Sequence, residues 1–158
     1  MFRGADPDTP ATPERPPAAL RWRPMSTSDH SAAAPASFAV SVPDLPDAAL
    51  EPEELDPAQI LSGNPVVTGK VLWESPDGSQ VRGIWQITPG VVTDTEADEL
   101  FVVVSGRATV EVEGGAALEV GPGSACVLRE GDRTVWTVHE TLRKVYQITS
   151  APRPADGR

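Results

Sequence analysis

The sequence predicts an all-β fold, one small sandwich or barrel, and three observations predict it. From Pro65 onward, runs of β-favouring residues alternate with turn residues roughly every eight to twelve positions. Residues 107–113 alternate strictly, with Ala108, Val110 and Val112 on one face and Arg107, Thr109, Glu111 and Glu113 on the other. No window of about ten residues carries the 3.6-residue repeat of an amphipathic helix.

The strands follow in order. Residues 66–73 form the first run, closed by Ser75-Pro76-Asp77-Gly78, a turn sequence with proline early and glycine late. Residues 81–88 return and stop at Pro89-Gly90. A polar, acidic rim comes next: Thr93, Asp94, Thr95, Glu96, Asp98 and Glu99. Residues 100–104 are apolar at every position, which predicts a strand covered on both faces. The alternating strand 107–113 then meets Gly114-Gly115, a pair free to adopt the positive φ of a tight hairpin. Residues 117–120, 125–129, 134–138 and 143–149 complete about eight or nine strands, separated by Gly121-Pro122-Gly123 and Glu130-Gly131-Asp132. An acidic rim between two strands marks the mouth of a small barrel as the place for a site.

Only 39% of the 158 residues are hydrophobic, below the roughly 45–50% of globular chains. Part of the chain is therefore expected to lie outside a packed core. Residues 1–60 carry recurrent prolines among Ala, Ser and acidic residues, with too few large apolar side chains to offset the entropy of ordering them. They are read as a disordered tail, with one exception in the stretch 48–61, where Leu50, Leu55, Ile60 and Leu61 would lie along the outside of the barrel. Met25-Ser26-Thr27-Ser28 reads as a natural start, which would make residues 1–24 an artefact of start-site choice. Residues 61–150 form the domain, and residues 151–158 a disordered C-terminal tail.

The formal net charge of -10 argues against nucleic acid and against anionic membranes, both of which need a basic footprint. Cys126 is the single cysteine, so no intrachain disulfide or cysteine zinc site is available. There is no apolar run of the ~18 residues a membrane span requires and no secretory leader, so a cytoplasmic location is expected.

The pieces GIWQITPG (residues 83–90), DELFVVVSGRATV (98–110), VGPGSACVLREGDRTVWTV (120–138) and ETLRKVYQI (140–148) together resemble a cupin. In detail they resemble the branch named for the (S)-ureidoglycine aminohydrolase cupin domain. The resemblance covers residues 63–148 and implies a jelly roll of two antiparallel sheets, commonly dimeric. Cupin metal centres use a first motif with His-x-His, then Glu, then Gly, and a second motif with a further His. Glu99 and Gly106 keep the Glu-to-Gly spacing here, but the histidine positions fall on Thr93, Thr95 and Thr134. A neutral hydroxyl is a poor first-row metal ligand beside imidazole. The resemblance would bring Mn²⁺-dependent ureide or amide hydrolysis; the ligand set departs from it, and neither metal nor cofactor is expected.

Glu99 is the candidate catalytic residue, a general base or else a structural carboxylate paired with Arg133 or Arg143. Thr93, Thr95 and Thr134 are expected at the cavity, with Trp85, Trp136 and Tyr146 stacking on a planar or sugar-like ligand or simply filling the core. Trp73 would join them if its strand packs on that sheet. Asp94, Glu96 and Asp98 offer oxygen to a hard cation, against the simpler reading of solvated rim charge. His139 is expected at the surface, and Cys126 as an inert thiol with no basic neighbour in sequence. Arg143 and Lys144 point to opposite faces, so one of them would reach the cavity or Glu99. The functional expectation is a small-molecule-binding protein, homodimeric, with no nucleic-acid or membrane partner. An enzyme using Glu99 as base with or without a divalent metal, a hydrolase or isomerase of a small polar metabolite, and a dimeric interaction module are the alternatives.

Overall fold

A computed structural model describes residues 39–152. Its strands are β1 (Glu51–Glu53), β2 (Ile60–Gly63), β3 (Val67–Glu74), β4 (Gln80–Ile87), β5 (Gly90–Thr95), β6 (Asp98–Val112), β7 (Ala117–Val120), β8 (Ala125–Leu128) and β9 (Arg133–Thr149). The other regular element is a short 3-10 turn, Pro57–Gln59. No helix among the described residues is long and apolar enough to cross a membrane. This is the all-β architecture that alternation and turn spacing predict.

The two long strands organise it. β6 and β9 run for 15 and 17 residues, and each joins what the sequence reads as two separate strands. β9 pairs with β4 along residues 142–149 and with β5 along residues 133–138. β6 pairs with β9 along both halves, with β8 through residues 99–102 and with β7 through residues 108–111. Two layers result, and both long strands belong to both: β1-β3-β4-β9-β6-β8 and β2-β5-β9-β6-β7. Every pairing is antiparallel.

Gly106 makes the continuity possible. The ladder between β6 and β9 shifts register around it, its φ is 82°, and a Cβ at this position would lie 2.0 Å from the Thr141 carbonyl oxygen. Only glycine turns the corner without breaking the strand. On either side of the bend, alternate residues face inward. Phe101, Val103 and Val110 of β6 meet Val67, Ile87 and Leu142, all fully buried.

Residues 100–104 depart from the expectation of a strand covered on both faces. Leu100 is 52% and Val102 43% exposed, because β6 has only the short edge strand β8 beyond it and nothing described lies over its outer face. Cover does reach the neighbouring half of that face. Arg143 turns outward from β9 and donates through Nη1 to the carbonyls of Leu45 (2.7 Å) and Ala48 (3.1 Å), and through Nε to Gln86 Oε1 (2.9 Å).

The chain before residue 61, read from sequence as a tail, is thus partly built into the domain. Residues 45–48 are tied to β9, β1 pairs with β3 and β2 pairs with β5. Its prolines stand where strands tolerate them. Pro52 lies in an edge strand, and Pro57 opens the 3-10 turn behind Asp56, whose Oδ1 accepts from Ala58 N. Leu55 and Ile60 pack against the core, while Leu61 is exposed. Residues 1–38, with the expectation about a start site, lie outside the described residues, as do residues 153–158.

Candidate functional site

The register between β5 and β9 sorts the acidic rim. Val92 pairs with Trp136 and Asp94 with Thr134, while Thr93 pairs with Val135 and Thr95 with Arg133. Alternation therefore puts Val92, Asp94, Thr134 and Trp136 on the face that carries the core. Beyond β5 the chain turns, and Glu96 is buried as well, its Oε1 accepting from Thr134 Oγ1 and from Trp136 Nε1 at 2.9 Å.

Deeper in the barrel lies an ion pair. Lys144 Nζ is 2.7 Å from Glu99 Oε1, both side chains nearly out of solvent. The same ammonium stands 4.4 Å from the ring centroid of Phe101 and 4.9 Å from those of Trp85 and Trp136. Trp136 touches both other rings, with centroids 6.2 Å from Trp85 and 5.6 Å from Phe101. The cage follows from register: Lys144 sits in β9 between Trp85 of β4 and Val103 of β6, and Glu99 and Phe101 precede Val103 at alternate positions.

A cleft of about 540 Å³ opens at the end of the second layer, bordered by Gln59, Thr93, Asp94, Thr95, Arg133 and Thr134. Asp94 is the carboxylate that links cleft and interior. Its Oδ1 accepts from Gln59 Nε2 (3.3 Å) and from the Thr95 amide (2.8 Å). Burial first, and then the charge of Glu96, push its carboxyl up to about 7. Burial also raises Glu96, eased by its hydrogen bonds from Thr134 and Trp136 and by the charge of Lys144. A carboxyl that titrates near neutral pH at a cleft can accept or give a proton and can recognise donors and acceptors alike. Arg133, at the same rim, forms an exposed pair with Glu113.

Residues 74–146 match the family model of the EutQ-like cupin domain. The fold is that of a cupin. Among solved structures, a DUF861-family protein of unknown function from Pseudomonas syringae pv. tomato str. DC3000 is 28% identical with a TM-score of 0.59. The match covers 65% of this chain and 45% of that one, so this chain spans less than half that neighbour's length. A putative ethanolamine utilization protein Q from Salmonella typhimurium LT2 is 23% identical, with a TM-score of 0.48 over 54% of this chain and 71% of that one. The EutQ protein of Clostridium difficile is 17% identical, with a TM-score of 0.48 over 65% and 83%. No curated protein matches.

A cupin metal centre does not fit the residues present. Of the four positions that resemblance gives to ligands, three are threonines, and Thr134 spends its hydroxyl proton on Glu96. The fourth, Glu99, is committed to Lys144. Among the described residues, no three His, Cys, Asp or Glu side chains are grouped to hold a metal ion.

The expected site residues divide between the two regions. Thr93, Thr95 and Thr134 border the cleft. Trp85 and Trp136 cage Lys144, and Tyr146 packs in the core with its hydroxyl against Gly83. Glu99 is in the interior rather than at the cleft, and of the basic residues offered to it, Arg133, Arg143 and Lys144, it is Lys144 that reaches it. Trp73 stacks outside under Arg82, 4.6 Å from the ring centroid. His139 is exposed and meets Thr109 Oγ1 at 2.9 Å. Cys126 is half-buried, and burial pushes its thiol up, away from nucleophilic use.

Counting back from Glu99 carries parity across the turn that separates Thr95 from Asp98, and that turn resets it. This is why the sequence favours Thr93 and Thr95 over Asp94 and Glu96 as the interior pair. Gln59 escapes sequence reasoning because its segment is rich in proline. Its amide donates to Thr93 O at 3.0 Å as well as to Asp94.

Proposed function

We propose that this cupin binds a small polar molecule in the cleft at Asp94, as a protein of the ureidoglycine-aminohydrolase-like type that its sequence motifs resemble, and that it does so without a resident metal. The observation that carries this reading is Asp94 itself: a carboxyl held near neutral titration by burial, opening on a cleft of about 540 Å³. Pockets of roughly 300–1,000 Å³ with a few placed polar groups suit small ligands. Gln59 and Thr134 supply such groups beside it. Where chemistry follows binding, Asp94 is better suited as acid or base than Glu99, whose carboxylate is held by Lys144. The test is a thermal-shift survey of small polar metabolites, ureides and amides included, on the wild type and on Asp94→Asn. At least one compound should raise the wild-type Tm and bind the variant tenfold or more weakly. A ligand indifferent to the substitution would move the site elsewhere.

The exposed outer strip supports a second component, a homodimer. Leu100, Val102 and Val127, the last 71% exposed, lie together where β8 ends the first layer. An open strand edge beside an apolar strip invites pairing with a second copy. Sedimentation velocity should show a dimer for the wild type and a monomer for Val127→Glu. A monomeric wild type at the concentrations of a cell would end this part of the reading.

A further inference from the structure

We infer that the Lys144 ammonium is a built-in cation, standing against the one carboxylate that a cupin metal centre would have retained, and that it excludes a divalent ion from the barrel. Three observations converge on it. The Nζ atom bonds Glu99 Oε1 at 2.7 Å, so the retained ligand position is already filled by positive charge. Three aromatic rings surround the same atom at 4.4 to 4.9 Å. Ring faces stabilise an ammonium through their quadrupoles, whereas hard divalent cations demand six or more oxygen ligands. Finally, the charge of Lys144 acts on Asp94 and Glu96 as well as on its direct partner, so a single ammonium serves three carboxylates.

The side chain is held in place by its strand. β9 is paired on both sides at Lys144, with Trp85 and Val103, and a tethered cation of this kind competes with free ions at a high effective concentration. A metal would have to displace it and then accept ring faces beside the one Glu99 carboxylate in its shell. Removing the ammonium reverses the balance. Lys144→Ala leaves Glu99 and Glu96 buried around a hollow with the shape of the deleted propylammonium group.

This inference does not rest on the cleft-binding reading, and no cleft ligand enters its test. Wild type and Lys144→Ala are dialysed against Mn²⁺, Zn²⁺, Fe²⁺ and Ca²⁺ and their metal content measured by mass spectrometry. Their Tm values are then compared in propylammonium chloride and in sodium chloride at equal ionic strength. The wild type should hold no stoichiometric ion and ignore propylammonium. Lys144→Ala should gain roughly 5 °C or more in propylammonium over sodium. A stoichiometric divalent ion in the wild type overturns the inference, and so does a folded Lys144→Ala that ignores propylammonium. Should the variant fail to fold in sodium chloride, refolding in propylammonium is the same readout, and the wild-type dialysis decides independently.

Discussion

Glu99→Gln is expected to cost about 3–5 kcal/mol of stability, lowering Tm by roughly 10–20 °C in a domain of this size. The substitution changes almost no volume, so packing does not explain the loss. It leaves the Lys144 ammonium, in a residue only 6% exposed, without its bonded counterion. Taking a charge out of water is repaid only by a partner in good geometry, and removing one partner exposes the whole desolvation penalty. Two features pull the cost toward the lower end. The ring faces of Phe101, Trp85 and Trp136 still stabilise the cation, and Glu96 still acts on it through space.

The companion variant separates charge from fold. Lys144→Met keeps all but the last atom of the side chain's length and removes its charge, so Glu99→Gln combined with Lys144→Met should recover most of what Glu99→Gln loses. The coupling in that cycle, read from urea midpoints, is expected to exceed about 1 kcal/mol. A Glu99→Gln variant within about 1 kcal/mol of the wild type would mean that the pair is solvated, and the cage would lose its energetic meaning.

Strand alternation was legible because one buried face imposes a period of two wherever the chain is extended. It placed Ala108, Val110 and Val112 together and set Arg143 against Lys144. The cage was legible only in part: alternation offered Glu99 one of Arg143 and Lys144, without saying which, and gave no sign of the three rings around Lys144. Nothing local joins Glu99 to Lys144, which are 45 residues apart in sequence and are brought together by the pairing of β6 with β9. The split of the acidic rim failed for a different reason, since a turn between two strands resets which side chains face inward. The segment before residue 61 misled through composition. Proline signals an absent backbone donor, and an edge strand or the first position of a turn has no need of that donor. Leu100 and Val102 show the converse limit: an all-apolar run predicts two covered faces, and nothing among the described residues covers the second one.

Asp94→Asn is expected to make the protein more stable at about pH 8, by roughly 2–4 kcal/mol, and no more stable at about pH 4. The sign follows from the proton. Asp94 titrates at about 7 in the folded chain against 3.8 as its ordinary value, so between those limits the folded state binds more protons than the unfolded one. Stability must therefore fall as pH rises through this window, by up to ~1.4 kcal/mol per pH unit. Below it the carboxyl is protonated in both states and contributes nothing; above about 7 the full penalty stands. Asparagine mimics the protonated acid and can still accept from Gln59 and the Thr95 amide. Glu96 is raised in the same direction, so the variant should keep a shallower slope rather than none. Urea midpoints from about pH 5 to pH 8 measure both, and a flat wild-type profile would show Asp94 to be solvated. A residue that destabilises its own fold at neutral pH is the kind that function retains. If Asp94→Asn is more stable and no longer binds the compound that raises the wild-type Tm, the carboxyl is there for the ligand. If it is more stable and binds as well as before, Asp94 is an incidental strain and the cleft has some other use.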